Sequence, residues 1–170
     1  MKKKQRNYAV LLLIVALLAP RLTWSEGSEH SHQTSGHPSK MTNESKLRLD
    51  HGKKWETDGP LRAGMNHIRS LIEVDIQLIQ KNKLVEKSYA SLGKGITAEL
   101  NQIFKNCKLK PEADAVLHSL LVDIIAGSTK MNSGKTKAAR RDGALQVIGV
   151  LNQYGEFFDH PGWAKTPDMI

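Results

Sequence analysis

From residue 58 to about residue 160, apolar side chains recur every three or four positions in four successive blocks, the spacing of helices that each bury one face. The first block carries Leu61, Met65, Ile68, Leu71, Ile72, Ile76 and Ile79. It follows "TDGP", where Thr57 or Asp58 can cap a helix and Pro60 occupies a first-turn position that has no use for an N–H. It should stop near "KNK" at 81–83. The second block runs from about Leu84 to Cys107 with Val85, Tyr89, Leu92, Ile96, Leu100, Ile103 and Cys107 in its stripe. Gly93 and Gly95 either weaken it or let a neighbour approach closely. The third begins at Pro111, and Glu112 and Asp114 suit the positive end of its dipole. Val116, Leu117, Leu120, Leu121, Ile124 and Ile125 form its face, and it should end between Gly127 and Met131. The fourth runs from about Lys137 to His160, with Ala144, Val147, Ile148, Leu151 and Phe158 inward and Pro161 just beyond. Four helices of similar length with short links predict an all-α, up-down-up-down four-helix bundle over residues 58–162, followed by a C-terminal tail at 163–170.

The 57 residues before the bundle follow different rules. "MKKKQRNYAVLLLIVALLAPRLTWSEG" has a basic start, an apolar run at 8–19 and small residues at Thr23 and Ser25, the layout of a signal peptide covering 1–25. The run is shorter than the roughly 20 residues of a membrane helix. The expected mature chain is exported, periplasmic or secreted, and has no membrane span. Residues 26–57 are polar, lack periodicity and read as a disordered, flexible arm containing His30, His32, His37, Met41 and His51. The charge balance changes with export. The full chain has 25 basic and 17 acidic residues, for +8. Five of the basic residues (Lys2, Lys3, Lys4, Arg6, Arg21) lie in the signal, which leaves a net +3. No dense basic stripe with interleaved aromatics remains, so nucleic acid is not an expected partner.

Cys107 is the only cysteine, which is unusual outside the cytoplasm, where thiols normally pair. In an up-down bundle the starts of the first and third helices share an end with the finishes of the second and fourth. That places Met65, His67, Cys107, His118 and His160 within about two turns of one level. Thiolate, thioether and imidazole are copper ligands, and thiolate with imidazole also suits zinc. "HSHQTSGHPSKM" adds tethered ligands in His30, His32 and His37. Each residue also has a structural reading. Cys107 and Met65 lie on core stripes, Asp114 stands four residues before His118 as an ion-pair partner, and His160 can cap a helix end.

Catalytic motifs are lacking. "GSTKMNSGKT" ends like a phosphate-binding loop, but that pattern needs glycine where Thr129 stands, and the segment reads as a helix–helix turn. There is no G-x-S-x-G and no H-E-x-x-H. A Cys107–His118 dyad would need a reactive thiolate, which an apolar stripe disfavours. The chain is not expected to be an enzyme.

A methionine early in the first helix, Met65, with a histidine late in the fourth, His160, resembles the periplasmic four-helix cytochromes of the b type. The likeness covers residues 58–160 and implies that Met65 and His160 are axial ligands of a haem b. The related c-prime bundles attach haem through C-x-x-C-H, which this chain lacks. Three expectations result: a copper-handling metal-binding bundle, a haem b electron carrier, or a cofactor-free bundle that binds another envelope protein.

Overall fold

The computed structural model describes residues 47–167. The expected signal peptide, and arm residues 26–46 with His30, His32, His37 and Met41, lie outside the described residues. Four helices form: α1 (Gly59–Gln80), α2 (Glu86–Asn106), α3 (Pro111–Ser133) and α4 (Lys137–Phe157). They pack as an up-down-up-down bundle, each against its sequence neighbour and α1 also against α4.

The helix starts follow local chemistry. Asp58 Oδ1 accepts from the Leu61 amide at 2.8 Å, with Pro60 in the first turn of α1. Thr136 Oγ1 does the same for the Ala139 amide of α4 at 3.1 Å. Pro111 opens α3, and Glu112 and Asp114 stand in its first turn. At the other end of α1 the chain reverses through Asn82, whose φ of +53° is a left-handed conformation that asparagine tolerates. Leu84 then tucks into the core.

The expected stripes form one continuous core. Leu61, Met65, Ile68 and Ile72 of α1 meet Tyr89, Ile96, Leu100 and Ile103 of α2, Val116, Leu120 and Ile124 of α3, and Val147, Leu151 and Tyr154 of α4. Each fully buried Leu or Ile contributes roughly 2 kcal/mol. Glycines set the closest crossing. A Cβ on Gly143 would lie 2.5 Å from Gly127 O, and one on Gly127 would lie 2.7 Å from Gly143 O. The α3 and α4 backbones therefore touch where neither helix has a side chain. Gly93 likewise lets α2 approach the Ser128 carbonyl of α3.

Four boundaries differ from expectation. First, α4 stops at Phe157, because Phe158 turns extended and begins β2 (Phe158–Asp159), which pairs in parallel with β1 (Trp55–Glu56). His160 therefore follows a strand and is not in a helix. Second, residues 47–57 are not all flexible arm. Trp55 is buried, and its indole N–H donates to the Arg48 carbonyl at 2.7 Å. One large apolar side chain anchors a polar stretch that has no periodicity. Third, residues 163–167 are not a free tail, since Trp163 packs on Tyr154 and Thr166 is buried. Fourth, α3 continues to Ser133. Two stripe members also stay largely outside the core. Val85 is the extended residue before α2 and so lies out of helical phase, and Ile125 sits at the edge of the α3 face.

Candidate functional site

The end of the bundle where α1 and α3 start is tied together by Asp58. Its Oδ1 caps α1, and its Oδ2 accepts from the Lys108 amide in the α2–α3 link at 2.6 Å. The same carboxylate stands close to the Cys107 thiol. Burial pushes that thiol up to about 12, and the negative charges of Asp58 and Asp114 add to the effect. Cys107 is therefore a protonated, half-buried thiol at neutral pH, and the charges of Asp58 and Asp114 oppose the thiolate that a reactive cysteine needs.

Tyr154 lies near this group on α4. Its own ionisation is pushed up, first by burial, with Arg62 opposing and Cys107 and Asp58 adding. Its hydroxyl lies 3.0 Å from His160 Nδ1 in a buried hydrogen bond between the two side chains. Burial lowers the His160 pKa, and the positive charges of Arg62 and Arg69 lower it further. Trp163 and Phe158 complete an aromatic cluster around Tyr154, with ring centroids 4.9 and 5.2 Å away.

The remaining expected ligands go elsewhere. Met65 has no exposed surface and serves as a core filler. His67 is exposed on α1, with Nδ1 3.1 Å from Glu99 Oε2 of α2. His118 is exposed on α3; its Nδ1 lies 3.0 Å from the Asp114 carbonyl and 3.2 Å from Asp114 Oδ2, and its ring rests beside Phe104. His51 pairs with its neighbour Asp50. Cys107 and His160 thus share the surroundings of Tyr154, while His67 and His118 face outward on their helix flanks. Among the described residues, no group of three or more His, Cys, Asp or Glu is arranged to hold a metal ion. Of the two residues the haem expectation names, Met65 is sealed in the core and His160 follows β2 beside Tyr154.

A different feature stands on the outer side of α1 and α2. A groove of about 640 Å³ runs between them, within the size range of ligand and peptide pockets. Leu71, Val74 and Leu92 supply its apolar lining, with Leu92 buried and Val74 at the exposed rim. Ser70, Ser88 and Ser91 keep its walls low, the His67–Glu99 pair closes one end, and Asp75 and Lys87 flank the other. Val74 is 84% exposed and Leu78, one turn on, 43%. Sequence reading missed this site because both valine and leucine lie off the core stripe. The available signal was the spacing of His67, Leu71, Val74 and Leu78. It alternates four, three and four, a coiled-coil type of spacing that runs along the flank of α1 about a third of a turn from the core stripe, with Leu71 still packed against the core and Val74 and Leu78 exposed.

In comparison with known proteins, no family model, no curated protein and no solved structure matches the chain. Among the described residues no helix is long and apolar enough to cross a membrane.

Proposed function

We propose that the chain is an exported, cofactor-free helical bundle that binds another envelope protein, taking an amphipathic helix of that partner into the α1–α2 groove. The observation that carries this reading is the second apolar seam on α1, with Val74 84% exposed over a groove walled by serines. A valine in mid-helix surrounded by water gains roughly 1–2 kcal/mol when a partner covers it. The four-three-four spacing matches apolar side chains of a third helix presented at i, i+3 or i+4 and i+7. Small serine walls let that helix approach closely, and the polar ends of the groove fix its register. On this reading the chain performs no catalysis. Copper handling and haem b binding are the alternative readings of the sequence; among the described residues no group of three or more His, Cys, Asp or Glu is arranged to hold a metal ion.

The test is photo-crosslinking in the source cell, with a benzophenone amino acid at Val74 and, as control, at Gly149, which faces open space on α4. A discrete adduct at Val74 and none at Gly149 is expected. Equal or no crosslinking at the two positions would refute the reading.

A further inference from the structure

The groove between α1 and α4 is already occupied, by the chain's own residues 163–166. A turn closed by the Trp163 amide donating to the His160 carbonyl at 2.9 Å, with Gly162 at φ +78°, delivers this segment to the groove. The ring of Trp163 enters a notch made by Gly155, where a Cβ would lie only 2.6 Å from Trp163 Cδ1. Tyr154 meets that ring edge-on, and the Arg69 guanidinium lies over it at 5.1 Å. Beyond the ring, the groove reads backbone. Arg69 Nη1 donates to the Ala164 carbonyl at 3.1 Å. Asn152 both accepts from the Thr166 amide at 2.8 Å and donates to the Thr166 carbonyl at 3.1 Å. The side chain of Ala164 faces solvent, and that of Lys165 is also exposed, with its Nζ donating to Glu156 Oε1 of α4 at 3.1 Å in a solvent-screened surface pair. The recognised pattern is an aromatic ring, two exposed positions of which the second makes only a surface ion pair, and a small buried residue.

The chain's own segment fills this site imperfectly. Among the described residues, two buried polar atoms of the segment itself lack a hydrogen-bond partner, the indole nitrogen of Trp163 and Oγ1 of Thr166, whereas Arg69 Nε beside them lies 3.5 Å from Glu73 Oε1. The groove desolvates the indole N–H and the threonine hydroxyl and gives neither a partner, which is unfavourable. A ring without an N–H, followed three residues later by valine, has the same shape and leaves nothing unpaired.

We propose that the α1–α4 groove is a second peptide-binding site, separate from the α1–α2 groove, that exchanges its own residues 163–166 for an extended segment of another protein with the pattern aromatic-x-x-Val, the aromatic ring carrying no N–H. The aromatic notch and the Asn152 and Arg69 backbone clamps hold either occupant.

The test uses the full chain labelled with 5-fluorotryptophan. The probe is a peptide of the chain's own 160–167 sequence with 2-naphthylalanine for Trp163 and valine for Thr166. On titration the Trp163 fluorine signal should move to a solvent-exposed position while helical circular dichroism is unchanged. A peptide of the native sequence should need about tenfold more to do the same. Trp163→Ser, which weakens the internal competitor, should bind the probe at least about tenfold more tightly than the native chain, because the open fraction rises. A Trp163 signal that holds its buried position at millimolar probe, or equal potency of the two peptides, overturns the proposal. The first two measurements do not depend on the stability of the variant.

Discussion

Gly143→Ala and Gly149→Ala make the same chemical change in the same helix, yet they should move stability in opposite directions. Both replace a mid-helix glycine in α4, so both gain about 1 kcal/mol of helix propensity. At Gly149 the new methyl meets nothing within 4 Å, and the gain should appear almost whole. At Gly143 it would lie 2.5 Å from Gly127 O, 2.8 Å from Lys130 Cβ and 2.9 Å from the Met131 amide nitrogen. Two of these three are backbone atoms that no rotamer change can move, so α3 and α4 must separate by several tenths of an ångström. Overpacking of this kind costs about 1–3 kcal/mol, with rigid backbone contacts at the upper end. Gly143→Ala should therefore be destabilised by about 2 kcal/mol and Gly149→Ala stabilised by about 0.5–1 kcal/mol. Propensity cancels in their difference, which isolates the close approach at about 3 kcal/mol. Urea unfolding with unchanged m values measures it. Two variants of equal stability would show that α3 and α4 are not in backbone contact at this crossing.

Cys107 should alkylate with iodoacetamide at pH 8 far more slowly in the native chain than in urea, since its thiol is held up to about 12. Asp58→Asn should speed the native reaction by removing a charge that raises the thiol, while also costing about 1 kcal/mol as the α1 cap weakens. Stability should also fall in mild acid through His160. Its folded-state pKa is lowered from 6.5, so the fold binds the neutral form, and this contribution is complete above that value. It is lost progressively as the pH drops from about 6.5 toward the lowered folded value. His160→Gln should flatten the dependence of the urea midpoint between pH 5 and 8, and an unchanged slope would assign the acid sensitivity to other groups.

The bundle was legible because its elements announce themselves locally. Period-3.6 stripes, the Asp58 cap, Pro111 and the "NSGKT" turn each act within a few residues of chain. Pairings across the sequence carried no such signal. β1 and β2 have two residues each and lie about a hundred positions apart, too short for alternation to show. Trp163 follows a Pro-Gly pair, which reads as a turn and conceals that the next residues fold back over α4. Gly155 looks like a weak point in a helix until an indole is seen against it. For the candidate site, topology alone brought Cys107 and His160 to the same end of the bundle. It could not rotate each helix to tell which flank faces inward, so His67 and His118 were drawn into a cluster that they leave for carboxylates on the outer surface. Val74 and Leu78 were overlooked for the complementary reason. They belong to a seam that no other part of the described bundle covers.

The most direct test of the α1–α2 groove is the double variant Val74→Asp, Leu78→Asp in the full chain, compared with the native chain for recovery of the protein that crosslinks at Val74. Both side chains are exposed, so the substitutions should leave stability within about 0.5 kcal/mol of native. Two carboxylates on the seam would have to be buried against the apolar face of the partner helix, and affinity should drop by at least about a hundredfold. A double variant that folds normally and still binds its partner with native affinity would contradict the account.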